Sequence, residues 1–314
     1  MAQKSKICII GAGKVGSTIA YTLASQTVAR EIVLIDVLKD KAAGEVADIK
    51  DGLCSWGELD MYAGDYEDVK DASLIILTAG TARKPGESRI DLAQRNLGIT
   101  RAITDELMKH YNTGSILVVS NPVDILTYAV SEWTGLPEGR VFGTGTLLDS
   151  ARFRSLLADM INVNIVNLHG YVIGEHGDSQ VPIWSNTHVA GAQIDKYCAN
   201  QSIPLTDPVK QEIEQTIIRS GAEIIRLKGA TFYGISSCVC SLVSAIMRDS
   251  NSIFTVSSRL RGQFGLHDVA ISLPSLVTYG GLKTIYEPNL TPAERERLLA
   301  SAESCRKVLS SLSL

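Results

Sequence analysis

Short, wholly apolar runs alternate with segments of helical period along the first half of this chain. Lys6-Ile7-Cys8-Ile9-Ile10 and Glu31-Ile32-Val33-Leu34-Ile35 read as buried strands, and Leu74-Ile75-Ile76-Leu77 and Ser115-Ile116-Leu117-Val118-Val119 as two more. Between them, Lys14 to Ser25, Lys39 to Lys50 and Ile90 to His110 carry helical spacing; in the first, Val15, Ile19, Tyr21, Leu23 and Ala24 are the apolar positions. Strands that are apolar throughout, rather than alternating, are buried on both faces. With helices between them they predict a doubly wound parallel α/β sheet.

The pattern changes after about Gly145. Leu147 to Met160 reads as a helix, and Asn167 to Gly174 as an extended segment or short strand pair. Asp207 to Lys228 is a long amphipathic helix with Ile213, Ile217, Ala222, Ile224, Ile225 and Leu227 as candidate core positions, stopped by Gly229. Phe232 to Met247 is a second, more apolar helix. Phe254-Thr255-Val256 and Val269-Ala270-Ile271 read as antiparallel strands, and Thr291 to Leu312 as a closing helix with a Thr291/Glu294 capping box. Two domains are therefore expected, 1–145 and a C-terminal α+β unit 146–314, docked without a low-complexity linker.

Composition narrows the function. The chain has 314 residues, 45% apolar and 20% charged, which is enough to bury a large core and excludes a disordered chain. A net charge of −4 without a basic stripe argues against nucleic acid as partner. No apolar run approaches the roughly 18–20 residues that span a bilayer, and the start Met1-Ala2-Gln3-Lys4-Ser5-Lys6 lacks the apolar segment of a signal peptide. Cys8, Cys54, Cys198, Cys238, Cys240 and Cys305 form no Cys-x-x-Cys pair, so reduced buried thiols in a cytoplasmic protein are expected, and no metal site.

Gly11-Ala12-Gly13-Lys14-Val15-Gly16 lies between the first strand and the first helix, and Asp36 ends the second strand. Alone, this glycine spacing is a weak signal; in this context it predicts a Rossmann dinucleotide site. The glycines let backbone approach a pyrophosphate, whose charge meets the helix N-terminus, with Lys14 and Val15 opening that helix. Asp36 can accept hydrogen bonds from both adenosine ribose hydroxyls and would repel a 2′-phosphate. Val37-Leu38 supply no compensating cation, so NAD is expected rather than NADP.

Further segments carry chemistry. Thr81-Ala82-Arg83-Lys84-Pro85-Gly86-Glu87-Ser88-Arg89 places two guanidinium forks on a Gly/Pro-hinged loop, a candidate lid (about 81–92) over a small anion. Ser120-Asn121-Pro122-Val123-Asp124 follows the fourth apolar strand, where ligands of doubly wound sheets bind. Asp149 and Arg152 share a helix face at i,i+3. Glu175-His176-Gly177-Asp178-Ser179 is a histidine loop, and Lys228-Gly229-Ala230-Thr231-Phe232-Tyr233-Gly234-Ile235 joins two helices. Each has a plainer reading: a solvated turn, a surface ion pair, a packed histidine.

In this order over the whole length, the segments resemble the L-lactate/malate dehydrogenase superfamily, with the closer likeness to bacterial L-lactate dehydrogenases through GESR, GTLLDSARFR, GEHGDSQVPIW and KGATFYGI. The resemblance implies a hydride transfer between NADH and a small 2-keto acid. His176 would give the carbonyl its proton, and Asp149 would hold the other imidazole nitrogen. Arg152 would grip the substrate carboxylate, and Arg89 would stabilise the developing oxyanion. Asn121 would orient substrate beside the cofactor, Thr231 would line the pocket, and Ile235 would press on the nicotinamide.

Position 83 departs from the lactate-type pattern, which usually has Gln. Arg83 would neutralise a second carboxylate, so oxaloacetate/malate is the expected preference, ordinary pyruvate/L-lactate chemistry being the alternative. The family also implies a homo-oligomer, a tetramer before a dimer, and Arg154 and His169 match positions that bind fructose 1,6-bisphosphate in many bacterial members. A short-chain dehydrogenase is disfavoured because the Tyr-x-x-x-Lys pair at Tyr66/Lys70 falls before the third apolar strand, and a zinc alcohol dehydrogenase because its ligand cluster is lacking. A non-catalytic NAD sensor would have little use for His176, Asp149, Arg152 and Arg89 together.

Overall fold

The computed structural model describes residues 5–53, 59–81 and 89–314, without the side chains of Leu53 and Arg89. The first half runs β1 (Lys6–Ile10), α1 (Lys14–Ser25), β2 (Glu31–Ile35), α2 (Lys39–Leu53), β3 (Asp60–Ala63), β4 (Leu74–Leu77), α3 (Arg89–His110), β5 (Ser115–Val118), α4 (Val123–Thr134) and β6 (Val141–Gly143). Then follow α5 (Leu147–Ile161), β7 (Leu168–His169), β8 (Val172–Ile173), β9 (Val181–Pro182), β10 (His188–Val189), β11 (Ala192–Gln193), α6 (Ile194–Asn200), α7 (Asp207–Lys228), α8 (Tyr233–Met247), β12 (Ser252–Arg261), β13 (His267–Thr278), β14 (Gly281–Ile285) and α9 (Pro292–Ser310).

Among the described residues, nine strands form one sheet in the order β14-β13-β12-β6-β5-β4-β1-β2-β3. From β3 to β6 the pairing is parallel, and β12 to β14 continue it antiparallel through the Ser257–Gly143 pair. The α/β doubly wound architecture is thus present, and its sheet runs on into the C-terminal half. Both faces are covered. Ile7 and Ile9 of β1 join one core with α1, α2 and α8, while Cys8 and Ile10 join another with α3 and α4. That two-sided burial is why these strands are apolar at every position.

Several expectations need correction. β3 and β6 escaped the apolar pattern: β3 buries only Met61 fully, and β6 has three residues. β7 and β8 do not pair with each other; β7 pairs with β10 and β8 with β9. On α7 only Ile213 and Ile217 are buried, and Ala222, Ile225 and Leu227 are exposed because the helix outruns the core beneath it. On α1, Tyr21 is exposed.

Cys8, Cys198, Cys238, Cys240 and Cys305 are all free thiols, and Cys54 lies outside the described residues. Burial pushes the Cys8 thiol up to about 12, far from a reactive thiolate. No helix among the described residues is long and apolar enough to cross a membrane, and no cluster of three or more His, Cys, Asp or Glu there could hold a metal.

Candidate active site

The strand-to-helix turn fits a dinucleotide. Gly11 has φ +115°, and a Cβ there would lie 2.7 Å from Ala79 N and from Thr78 Oγ1, so only glycine permits this turn. A Cβ on Gly16 would stand 1.8 Å from the Gly11 carbonyl oxygen; its absence lets α1 press onto the turn. Gly13 differs: a Cβ would meet nothing within 4 Å, leaving open space beside the helix N-terminus. Gly13 gives α1 no side-chain cap and the first turn holds no acid, so its N–H groups remain available to a phosphate. Asp36 sits at the far end. Its Oδ2 accepts from Ala12 N at 2.6 Å and its Oδ1 from Leu38 N at 2.9 Å, which aims the carboxylate at the end of β2. Two carboxylate oxygens carry about four acceptor positions, so capacity remains for ribose hydroxyls. Lys14 is exposed and Val15 half-buried beside this turn. Across from it, α8 docks on α1 through Ser236 Oγ, which donates to the Val15 carbonyl at 3.4 Å. That contact brings the half-buried Ile235, one residue earlier, to the same core as Val15.

The second focus is His176. Its Nδ1 lies 2.5 Å from Asp149 Oδ2, and Asp149, 3% exposed in the first turn of α5, also accepts from Arg152 Nη1 at 3.3 Å. The Asp149 carboxylate lifts His176 from 6.5 to about 9, against the opposing effects of burial and the Arg152 charge. His176 Nε2 makes no hydrogen bond among the described residues, and the side chain is 28% exposed. This is an imidazolium held in one orientation at neutral pH with a free N–H for a ligand, beside a guanidinium only partly satisfied by Asp149. Such a pair can grip a carboxylate and protonate a neighbouring oxygen.

Side chains absent from the sequence-based assignment hold this arrangement together. Buried Asn96 of α3 accepts from Thr81 N at 2.9 Å and donates to the Asn121 carbonyl at 2.7 Å, joining the base of the expected lid to the segment after β5. Asn121 Oδ1 in turn accepts from Val123 N at 3.3 Å. Asp124 Oδ2 accepts from His176 N at 2.7 Å, and Ser301 Oγ from Glu175 N at 2.8 Å. Apart from the local Asn121–Val123 bond, the partners lie 15 to 126 positions apart, so no local motif betrays them.

Arg83 lies outside the described residues, as does the side chain of Arg89, whose backbone opens α3. Thr231 is half-buried in the turn between α7 and α8. That turn is braced by Lys228 Nζ, 3.6 Å from the Phe232 ring centre and 4.0 Å from that of Tyr233. Arg154 is half-buried near Tyr171 and Cys238, its charge disfavoured by burial, and His169 is exposed on β7. No hydrogen bond or ion pair joins Arg154 to His169.

Comparison with known proteins converges on this geometry. The lactate/malate dehydrogenase NAD-binding domain matches residues 5–143, and the lactate/malate dehydrogenase alpha/beta C-terminal domain matches residues 146–312. The chain belongs to the lactate/malate dehydrogenase family. An L-lactate dehydrogenase of Thermoanaerobacter sp. (strain X514) is 48% identical over 99% of this chain and 100% of its own length. L-lactate dehydrogenase 1 of Clostridium acetobutylicum is 41% identical, with 99% and 100% covered. Among solved structures, the ligand-bound minor L-lactate dehydrogenase of Enterococcus mundtii superposes with a TM-score of 0.95 at 40% identity, over 99% of both chains. The family membership makes the chain an NAD-dependent 2-hydroxy-acid dehydrogenase acting on a small keto or hydroxy acid, in agreement with the glycine turn and Asp36.

Proposed function

We propose that this dehydrogenase interconverts pyruvate and L-lactate, with His176 as the proton-transfer group. The observation that carries the reading is the Asp149–His176 pair at 2.5 Å beside Arg152. The names of the 41–48% identical relatives favour pyruvate as the acid. Arg152 binds the substrate carboxylate and orients the 2-keto group for hydride attack, and Ile235 would press on the nicotinamide. His176 Nε2–H donates to the carbonyl oxygen and loses its proton to it as the alcohol forms. Asp149 keeps the ring oriented and stabilises its charged form. Arg89, carried in by the 81–92 segment, stabilises the developing oxyanion, and Asn121 and Thr231 shape the pocket around C2 and the substrate tail. Gly11, Gly13, Lys14, Val15, Gly16, Asn121 and Asp36 would hold NADH, which when bound would supply the hydride.

A second reading rests on Arg83, which would pair the far carboxylate of oxaloacetate under a closed lid. An unpaired charge buried there costs roughly 3–5 kcal/mol, enough to reverse a preference. Steady-state kcat/KM on both acids tests the two readings. Pyruvate ahead by tenfold or more supports the first, and oxaloacetate ahead supports the second. In the second case Arg83→Gln should shift the ratio toward pyruvate.

The proposal extends to a cytoplasmic tetramer divided near residue 145, and to fructose 1,6-bisphosphate binding through Arg154 and His169. Light scattering tests the assembly. Saturation curves with and without the bisphosphate test the effector, which unchanged curves would remove.

A further inference from the structure

The histidine loop is held by its backbone as well as by its ring. Two consecutive N–H groups, those of Glu175 and His176, donate to side chains from two different elements: Ser301 Oγ of α9 at 2.8 Å and Asp124 Oδ2 of α4 at 2.7 Å. Gly174, just before them, has φ +87°, and a Cβ there would stand 2.7 Å from Ser301 Oγ. Asp124 is 3% exposed and forms no ion pair with Lys or Arg among the described residues, although a buried carboxylate ordinarily has one. Its second oxygen, Oδ1, lies in the interior without a full hydrogen bond, with the Ser257 hydroxyl of β12 near enough to favour the ionised form. Such a group is a poor choice for packing alone. Asparagine or serine would accept the same backbone bond without burying a charge.

We propose that Asp124 is a positioning residue for the reaction at His176, fixing the loop through the His176 N–H and favouring the protonated ring through its charge. The proposal rests on the reading of His176 as the proton-transfer group. The charged and titratable groups around Asp124 come from each element packed on it. His176 and Glu175 belong to the loop, the Cys305 thiol to α9, and the Asp149 carboxylate of α5 lies beyond the imidazole. Of these His176 alone can carry a positive charge, so the carboxylate and the imidazolium stabilise one another. Burial lifts Asp124 from 3.8 to about 6, which leaves it ionised at neutral pH, and the Asp124 charge in turn raises His176. Asp149 thus sets the ring from one side, and Asp124 sets the backbone and the field from the other.

The test compares the full-length protein with Asp124→Asn and Asp124→Ala. NADH binding by fluorescence and circular dichroism establish that both variants fold. Asp124→Asn keeps an oxygen for the His176 N–H but loses the charge. Its His176 titration, followed by the ring proton in NMR, should move to lower pH, and the basic limb of kcat/KM for keto-acid reduction should move with it. Asp124→Ala loses the bond as well, and kcat/KM should fall roughly 10- to 100-fold, with NADH affinity unchanged. An unmoved His176 titration in Asp124→Asn, or an Asp124→Ala enzyme within twofold of the parent, would overturn the proposal. Turnover that survives His176→Gln would instead remove the reading beneath it. The NMR shift would still report the coupling between Asp124 and the ring.

Discussion

Two buried carboxylates act on one imidazole, and pH separates their effects. His176 at about 9 stays protonated through neutral pH, chiefly because of Asp149. With His176 as the proposed proton donor, keto-acid reduction would consume that proton, so kcat/KM should hold through neutral pH and fall tenfold per unit above about 9. Hydroxy-acid oxidation needs the neutral ring and should rise toward the same value. Asp149→Asn removes the largest cause of the raised value. The limb should then move to lower pH and kcat for reduction at pH 7 should drop by on the order of 10²-fold; a limb that stays in place would contradict the assignment. Stability carries the mirror image. A histidine raised from 6.5 to about 9 contributes stability that is fully present below 6.5 and lost as pH climbs through 9. Asp124 works the other way. An acid raised from 3.8 to about 6 lowers stability as pH climbs through that window, by about 3 kcal/mol once fully ionised. Asp124→Asn should therefore raise Tm at pH 7, with the gain shrinking toward pH 4. A protein more stable yet slower would show that the charge is kept for function.

At the scale of elements, α9 links the end of the chain to the histidine loop. Its N-terminus is a capping box: Glu294 N donates to Thr291 Oγ1 at 3.3 Å, and Glu294 Oε2 accepts from Thr291 N at 2.9 Å. The same carboxylate accepts from Ser185 N at 3.0 Å and Ser185 Oγ at 2.6 Å. Burial raises Glu294, but these donors outweigh it and hold the group below 4.5. Its contribution is thus present above 4.5 and lost as pH falls through the lowered value. Glu294→Gln should cost about 1–3 kcal/mol at pH 7, measured by urea unfolding, and less once pH has fallen through the lowered value. An equal loss at both pH values would mean that packing, not charge, anchors α9. This box was legible in the sequence because both partners lie within one turn. The bounds of α1, α7 and β4 were legible for the same local reason, as was the glycine turn. β3 was not, since an edge strand with one fully buried side chain leaves no apolar run. The roles of Asp124 and Asn96 were not legible either, because a hydrogen bond spanning 52 or 25 positions leaves no spacing to read. The exposed end of α7 misled because helical period shows which positions share a face, not whether anything covers it.

For the whole molecule, the sheet and the core ignore the division near residue 145. β12 pairs with β6, and Val239, Leu242, Val243 and Ile246 of α8 share a core with Ile7, Ile19 and Leu34 of the first half. Removing the second half would expose that core and leave β6 as an open edge. One cooperative unfolding transition is therefore expected, despite two recognisable domains. Trp133 of α4 and Trp184 beyond β9 give each half its own reporter. Variants keeping one tryptophan, with the others changed to Phe, should show coincident urea midpoints, and the far-ultraviolet dichroism should follow the same curve. NADH at about 100 times its Kd should stabilise by about 2.7 kcal/mol. The Trp184 reporter should move as far as that of Trp133, although the nucleotide contacts chiefly the first half. If Trp184 melted earlier and ignored NADH, the two halves would be separate folding units. Coupling between cofactor and histidine loop would then have to run through the bound substrate and not through the shared core.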